Sequence, residues 1–334
     1  MIKTLSLFSG IGAFEKALES LDIRHEVTSY CEIDKYASCG YSAIHDISEE
    51  YNLGDITKVD ISSLKDFDLL THGSPCQDFS LSGKGRGGNE GTNTRSSLMW
   101  NSVEIIKRKT PSYVIWENVK GVLCKNHKHN FEKYLNTLDE LGYKNYHKVL
   151  NSRDSGAPQG RERIFVVSIK NDINKNFKFK QRINEELKLR DILEDNVDTK
   201  YYLKGNHIKS LTKEFEGRLN NREASKLGLI KVGDIKNPKS FQMNNRVFSK
   251  DGVSPTLTTT NPVKIVECRI RSLTPLESWR ATGFSDEDYW KARKALEKKF
   301  YKGKDRTDSQ MYKMSGNSIV VDVLEDIFRE LFID

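Results

Sequence analysis

Short apolar runs alternate with amphipathic stretches along the first 170 residues. Stretches at helical spacing predict helices after Gly12, over Lys35–Ala43 and over Phe131–Leu141. Strands that alternate with helices indicate a largely parallel sheet with both faces covered. The apolar runs that predict strands are Ile2–Phe8, Val27–Tyr30, Phe67–Thr71, Tyr113–Trp116, Tyr146–Leu150 and Ile164–Ile169.

The pattern changes between residues 171 and 262, which are rich in Asn and Lys and show no clear strand–helix alternation. Regular structure returns at Thr274, which has the signature of a helix N-cap because Pro275 follows it and Glu277 lies three residues after it. A final amphipathic helix is predicted over Ser318–Leu331. The middle stretch is therefore a second module or a long insertion.

Composition excludes several classes of protein. Hydrophobic residues make up 37% of the 334 positions, enough for a core, which excludes disorder, collagen and coiled-coil arrays. No apolar run is long enough to span a membrane, and the N-terminus lacks the features of a signal peptide. The five cysteines are widely spaced and form no CxxC pair, which argues for a reducing compartment and against a zinc ribbon. We expect a soluble cytoplasmic protein without a resident metal.

The excess positive charge lies in one segment. The chain has 54 basic and 47 acidic residues, and residues 170–250 hold 19 of the former and 11 of the latter. The remainder, with 35 against 36, is nearly neutral. A solvated lysine-rich surface explains this excess, and so does a module that faces a polyanion.

A turn with two glycines joins the first predicted strand to the first helix. Gly10 and Gly12 allow the backbone to approach a ligand closely and leave the helix N-terminus open. Glu32 follows the second strand, where a carboxylate can bind ribose hydroxyls. A plain tight turn or a nicotinamide site explains these residues equally well.

Two reactive side chains follow the next two strands. Cys76 comes just after a strand, where a thiol can act as a nucleophile, although a lone cysteine is more often a small buried residue. Glu117 ends the following strand and is either a loop carboxylate or a proton donor with a raised pKa. The loop of residues 81–95 contains five glycines and three basic residues, and loops of this length are commonly functional.

Two arginines precede the last strand of this region. Alternation points Arg161 and Arg163 to the same side if the strand already begins at Arg161. They are then either salt-bridge partners or cations that face an anionic ligand.

In this order the motifs resemble those of the C5-cytosine DNA methyltransferases. The resemblance spans roughly residues 4–169 and 254–331, and it places that family's target-recognition domain in the stretch with the excess positive charge. The segments that carry it are Phe8–Gly12, Pro75–Gln77, Glu117–Val119, Gln159–Arg163, Arg271–Glu277 with Gly283–Phe284, and Gly316–Ser318.

The resemblance implies an α/β fold with a doubly wound, Rossmann-like mixed sheet of the S-adenosylmethionine-dependent methyltransferase type, and a smaller, irregular target-recognition domain. The implied boundaries are a catalytic, S-adenosylmethionine-binding domain over residues 1–170 and a target-recognition domain over 171–300. Residues 301–334 would return to the catalytic domain.

The resemblance also implies a reaction, the transfer of a methyl group from S-adenosylmethionine to C5 of a cytosine flipped out of DNA. Cys76 would add covalently to C6, and Glu117 would engage N3. Arg163 would steady the O2 of the base, and Arg161 would support the site or a nearby phosphate.

The remaining implied contacts fall into two groups. Residues expected to bind the cofactor are Phe8, Gly10, Gly12, Glu32, Ile33, Asp55, Ile56, Pro75, Asn317 and Ser318. Residues expected to contact DNA, as phosphate binders or as readers of base edges, are Ser80, Lys84, Arg86, Arg95, Gln242, Asn244, Asn245, Arg246 and Thr256.

The expected partner is double-stranded DNA, bound by a monomer associated with the nucleoid, with a restriction endonuclease for the same sequence as a second partner. Two alternatives stay open. A tRNA cytosine-5 methyltransferase is disfavoured because residues 171–262 contain no Cys-Phe-Thr tripeptide. A non-catalytic DNA-binding relative is disfavoured because Cys76, Glu117 and Arg163 are all present.

Overall fold

The computed structural model describes residues 1–75, 95–181, 187–205, 208, 211, 214–215, 223–235, 242–267 and 269–334, without the side chains of residues 95, 242 and 243. The chain divides into two compact units. The first unit contains Met1–Leu150, Glu162–Lys180 and Leu324–Asp334. The second contains Asn151–Arg161 and Gln181–Val323. The functional domain boundaries expected at residues 170 and 300 stay predictions.

The first unit is built on a six-stranded sheet. Its strands are β1 (Ile2–Leu7), β2 (His25–Cys31), β3 (Leu69–His72), β4 (Tyr113–Val119), β5 (Tyr143–Asn151) and β7 (Glu162–Lys170). Their order is β2-β1-β3-β4-β7-β5. β1 is parallel to β2 and β3, β3 is parallel to β4, and β7 is antiparallel to β4. The doubly wound, mixed sheet expected from the sequence is confirmed.

Helices of the first unit follow the strands. They are α1 (Ala13–Ser20), α2 (Lys35–His45), α3 (Met99–Lys109), α4 (Lys128–Glu140) and most of α8 (Val321–Phe332). Strands β1, β3 and β4 are buried almost throughout, which explains why they read as continuous apolar runs rather than as alternating patterns. The sequence pattern did not predict α3, whose apolar positions alternate with Asn, Ser and Glu and whose last turn is basic.

The second unit contains short strands. A four-stranded sheet has the order β12-β11-β9-β8, and a two-stranded parallel sheet pairs β6 with β10. The strands are β6 (Gln159–Gly160), β8 (Lys231–Asp234), β9 (Arg246–Ser249), β10 (Ser254–Pro255), β11 (Lys264–Val266) and β12 (Ile270–Ser272). Strands of two to four residues are too short to produce a visible alternation in the sequence.

Three helices follow these strands, namely α5 (Pro275–Arg280), α6 (Asp286–Phe300) and α7 (Asp308–Asn317). The predicted cap of α5 is confirmed, because Glu277 N donates to Thr274 Oγ1 at 3.1 Å and Thr274 N donates to Glu277 Oε2 at 2.7 Å. The predicted start of the last helix at Ser318 was wrong. Ser318 is extended and caps the end of α7, and α8 begins at Val321.

Within the residues that the structure describes, no helix is long and apolar enough to cross a membrane.

Candidate active site

The two glycines after β1 have different surroundings. Both have positive φ, +57° at Gly10 and +80° at Gly12, where glycine is favoured. A Cβ at Gly10 would meet no atom of the described residues within 4 Å, whereas one at Gly12 would lie 2.1 Å from Nε2 of His45. Gly10 therefore borders open space, and Gly12 is a close packing contact.

Glu32 follows β2 directly and is fixed by the backbone around it. Its Oε2 accepts a hydrogen bond from Gly10 N at 2.9 Å, and its Oε1 accepts one from Asp34 N at 2.7 Å. Burial raises the pKa of the Glu32 carboxyl above its usual value, although these two N–H groups act in the opposite direction. The result is a carboxylate held in one orientation at the carboxyl end of the sheet.

Asn52 completes this arrangement and was not predicted. Its Oδ1 accepts a hydrogen bond from Glu32 N at 3.0 Å, and its Nδ2 donates to Glu32 O at 2.9 Å. Asn52 lies in the loop after α2 and belongs to no motif, so only the position of that loop beside β2 reveals its role.

Three further predicted cofactor residues lie in the loops beside Glu32. Ile33 is 76% exposed, which is unusual for an isoleucine. Oδ1 of Asp55 caps a short 3-10 turn by accepting from Thr57 N at 3.0 Å and from Thr57 Oγ1 at 2.8 Å, and these bonds lower the pKa of Asp55. Ile56 is buried beneath this turn.

Phe8 and Pro75 lie beyond the carboxyl ends of neighbouring parallel strands. Phe8 follows β1 with a φ of +54° and packs against the main core of the first unit. Pro75 follows β3 by three residues and is half-buried. Both expected cofactor positions are therefore in the first unit.

The segment after β3 is fastened to β4 through Ser74. Trp116 Nε1 donates to Ser74 Oγ at 3.0 Å, and Asn118 Nδ2 lies 3.1 Å from Ser74 O and 3.2 Å from Ser74 Oγ. Ser74 and Asn118 are both buried. In the sequence, only the position of Ser74 two residues before Cys76 points to a role for it, and Cys76 lies outside the described residues.

Glu117 lies in β4, two residues before the strand ends, and faces a cation from the adjacent antiparallel strand. Its Oε1 is 3.1 Å from Nε of Arg163, and the two side chains are 10% and 18% exposed. The pair is ionic, because among the described residues no donor is aligned for a hydrogen bond with that oxygen. Arg163 also donates through Nη1 to Glu162 O at 2.8 Å.

Arg161 has different partners from Arg163. β7 begins at Glu162, so the condition for placing both arginines on one side by alternation is not met. Arg161 is buried in the second unit, where its Nη1 donates to Gly316 O at 3.1 Å. Its backbone N donates to Asn151 Oδ1 at 3.2 Å.

The C-terminal motif lies in the second unit. Gly316 has no room for a side chain, because a Cβ there would lie 2.7 Å from the backbone of Thr258. Asn317 ends α7 and is exposed, whereas Ser318 is buried and donates through Oγ to Ile319 O at 2.9 Å.

Several residues expected to contact DNA are described only in part. Cys76, Ser80, Lys84 and Arg86 lie outside the described residues, as do the side chains of Arg95 and Gln242. The others are in the second unit, as the following contacts show.

Asn244, Asn245, Arg246 and Thr256 lie on or beside the short strands of that unit. Lys264 Nζ donates to Asn244 O at 2.5 Å, and Ile235 N donates to Asn245 O at 2.8 Å. Arg246 is half-buried, and its Nε has no acceptor among the described residues. Thr256 Oγ1 donates to Gly160 O at 3.1 Å. These contacts do not assign a base or a phosphate to any of the four.

In the described part of the chain, no group of three or more His, Cys, Asp or Glu side chains is arranged to hold a metal ion. The features brought together in the first unit are the half-buried carboxylate of Glu32 beside Gly10 and the buried carboxylate of Glu117 paired with an arginine.

Comparison with known proteins identifies relatives along the whole chain. The profile of a family described as C-5 cytosine-specific DNA methylase matches residues 2–332. The chain is 33% identical to the type II methyltransferase M2.ScrFI of Lactococcus lactis subsp. cremoris, over 99% of each chain. It is 32% identical to the orphan methyltransferase M.SPRI of Bacillus phage SPR, over 99% of this chain and 97% of the relative.

Solved structures share the fold at lower identity. The Dnmt2 methyltransferase of S. pombe superposes with a TM-score of 0.70 at 19% identity, over 98% of this chain and 97% of that one. A putative DNA modification methyltransferase encoded within an E. coli prophage superposes with a TM-score of 0.69 at 18% identity, over 99% of each chain.

Proposed function

The chain belongs to the C-5 cytosine-specific DNA methylase family, and from that premise we propose that it transfers a methyl group from S-adenosylmethionine to C5 of a cytosine flipped out of a specific DNA sequence.

The observation that carries the proposal is the state of Glu117. The side chain is buried, lies near the carboxyl end of β4 and has Arg163 as its ionic partner. A buried carboxyl group whose Oε1 has no aligned hydrogen-bond donor among the described residues is able to share a proton with a ring nitrogen. This is the group that the addition of a nucleophile to a cytosine ring requires at N3.

The proposed covalent step uses Cys76. The thiolate adds to C6 while N3 takes a proton or a hydrogen bond from Glu117, and the C5–C6 electron pair becomes available to form the new bond from C5 to the methyl carbon as the bond between that carbon and the donor sulfur would break. Loss of the C5 proton and departure of the thiolate then restore the ring. Arg163 holds the Glu117 carboxyl and supplies positive charge next to the O2 of the base. The role expected for Arg161, as support for the site or for a nearby phosphate, stays a prediction.

The first unit fits the proposed donor. When bound, S-adenosylmethionine supplies an electrophilic methyl group on a sulfonium centre. Gly10 leaves the space that a ligand next to the backbone needs, and Glu32 presents a fixed carboxylate suited to a ribose diol. Ile33 offers an exposed apolar surface beside it for a planar ring. We assign Asp55, Ile56, Phe8, Gly12 and Pro75 to the same ligand, and the cofactor contacts expected of Asn317 and Ser318 stay predictions.

We further propose that double-stranded DNA is contacted by basic residues of segment 170–250 and of the loop after Cys76. The excess charge of that segment supports this assignment. A cognate endonuclease, a monomeric state and association with the nucleoid stay predictions.

The decisive experiment is methylation of a mixed-sequence DNA, followed by mapping of 5-methylcytosine at base resolution. We expect methylation at one short sequence, dependent on added S-adenosylmethionine. Modification of tRNA but not of DNA, or no modification at all, would replace the proposal by one of the two alternatives.

The covalent step has its own test. DNA that carries 5-fluorocytosine at the mapped position should trap the enzyme in a complex that survives denaturation, because the C5–F bond cannot be broken in place of C5–H. The Cys76→Ala variant should form no such complex. Cys124→Ala, which removes an exposed free cysteine, is the matched control and should behave like the wild type.

A further inference from the structure

A buried histidine lies behind the glycine turn that we assign to the cofactor. His45 ends α2, and its ring fills the space that the missing side chain of Gly12 leaves. Its Nε2 is 3.1 Å from Ile11 O, the carbonyl between the two glycines, and its Nδ1 is 2.6 Å from Oε1 of Glu19 on α1. The side chain is 1% exposed.

Both ring nitrogens of His45 therefore face acceptors. A carbonyl oxygen and a carboxylate oxygen accept hydrogen bonds and donate none. A neutral imidazole has one N–H and satisfies one of them, whereas an imidazolium satisfies both. The geometry alone thus favours the charged form.

The charged surroundings of His45 agree with this protonation state. Glu19 on α1 pairs with His45 and is also 3.8 Å from Lys16 Nζ, and Glu15 on the same helix is fully buried. The ring of Tyr41 lies 4.8 Å from the imidazole on its own helix. On β2, Tyr30 stacks on Tyr41.

The net effect of these surroundings is to raise the pKa of His45. Burial alone lowers the pKa of His45, but the hydrogen bond and charge of Glu19 outweigh it and raise the pKa above its usual 6.5. Burial raises the pKa of the Glu19 carboxyl, and the bond to His45 more than reverses this, so that the pKa is lowered.

We propose that His45, as an imidazolium paired with Glu19, is a positioning residue that holds the Gly10–Gly12 turn in its cofactor-binding conformation. This inference rests on the proposed function, because that function assigns the turn to S-adenosylmethionine. His45 acts through the carbonyl of Ile11 and does not touch the ligand.

The sign of the pH dependence follows from the raised pKa. The folded protein binds the His45 proton more tightly than the unfolded chain, so this stabilisation is complete below pH 6.5 and is lost as the pH rises through the folded-state pKa. Above it, one of the two hydrogen bonds breaks, and the turn loses its anchor. Affinity for the cofactor therefore decreases on the alkaline side.

The test is calorimetric titration of the full chain with S-adenosylhomocysteine between pH 6 and pH 9. The wild type should bind most tightly at the acidic end. His45→Phe keeps the ring volume and removes both hydrogen bonds, so it should bind about tenfold more weakly at the acidic end and show no such pH dependence. Glu19→Gln, which leaves the ring in place, should shift the transition to lower pH.

Two further readouts separate positioning from general stability. The NMR resonance of His45 should titrate above pH 6.5 in the wild type and at lower pH in Glu19→Gln. In steady-state kinetics, His45→Phe should raise KM for S-adenosylmethionine and leave kcat nearly unchanged. His129→Gln, a change at an exposed histidine on α4, is the control and should match the wild type in every measurement.

The outcomes distinguish this inference from the proposed function. A wild type that binds S-adenosylhomocysteine equally at all pH values while His45 titrates overturns the inference and leaves the function intact. The same holds if His45→Phe lowers kcat rather than raising KM. A wild type that binds no S-adenosylhomocysteine overturns both.

Discussion

The β1–β2 edge (Gly10, Gly12 and Glu32) and the β3–β4 edge (Ser74, Glu117 and Asn118) each carry one glutamate, half-buried at Glu32 and buried at Glu117, and the two carboxylates have different partners. Both carboxylate oxygens of Glu32 accept backbone N–H groups. Glu117 has Arg163 as an ionic partner and an oxygen without an aligned donor in the described part of the chain.

This difference indicates a separate role for each edge. A carboxylate fixed by the backbone keeps its orientation and charge, which suits the recognition of a ligand that does not change during the reaction. A carboxylate with an incomplete set of hydrogen bonds can change partners and protonation state as a reaction proceeds. The neighbouring network of Ser74 and Asn118 keeps the surroundings of Glu117 rigid in the meantime.

The largest effect is expected for a change of Glu117 at the β3–β4 edge. Glu117→Gln keeps the shape of the side chain and removes its acid–base capacity, so kcat should decrease by about 10²–10⁴-fold. Calorimetric binding of S-adenosylhomocysteine should not change. A variant with wild-type turnover would show that the two glutamates do not differ in role.

Changes of Gly10 and Gly12 test the β1–β2 edge. Gly12→Ala should destabilise the fold by about 2–4 kcal/mol, because the backbone at position 12 has positive φ, which a residue with a Cβ disfavours, and because the new Cβ collides with the buried ring of His45. Gly10→Ala places its Cβ in open space and should cost the fold only about 1–2 kcal/mol while weakening cofactor binding. Thermal melting and calorimetry measure the two effects separately, and equal melting temperatures for the two variants would contradict the assignment.

An intermediate effect is expected at Glu32. Glu32→Gln turns one acceptor into an NH₂ group that faces the N–H of Gly10 or of Asp34. Cofactor affinity should fall by roughly 1.5–3 kcal/mol, or about 10–100-fold, and kcat at saturating cofactor should be nearly preserved. A loss confined to kcat would place Glu32 in the chemical step and remove the distinction between the edges.

The smallest effect is expected at Ser74. Ser74→Ala leaves the N–H of Trp116 without its acceptor and should cost about 1–2 kcal/mol in the free energy of unfolding, with less than a tenfold decrease in kcat. Ser102→Ala is the matched control. Ser102 is fully buried, and its hydroxyl has no partner among the described residues, so its removal should leave the denaturant midpoint unchanged or slightly higher.

The features that could be predicted from the sequence are those that depend on neighbouring residues in the chain. Glu32 and Glu117 could each be placed at the carboxyl end of a strand, because each follows or ends an apolar run and parallel strands align their carboxyl ends. The cap at Thr274 was equally local. His45, Asn52 and Ser74 could not be found this way, because their roles depend on contacts with residues 20 to 44 positions away.

The second unit was less predictable for a different reason. Strands β8, β9, β11 and β12 have three or four residues each, which is fewer than a periodic pattern requires. Their pairing is set by contacts between distant segments, and the excess charge of this stretch carries no information about strand positions. The residues expected to read DNA were therefore chosen by their side-chain chemistry, without a prediction of where each lies in the fold.

The contact between Gly12 and the ring of His45 has a consequence for evolution. A backbone without a side chain at one position and a large aromatic ring at the other fill a single volume, so neither can drift alone without leaving a clash or a void. In lineages that replaced the histidine by a small residue, alanine at position 12 would no longer clash and would carry only the cost of its positive φ, so an alignment of many relatives should show alanine at position 12 only where position 45 is small.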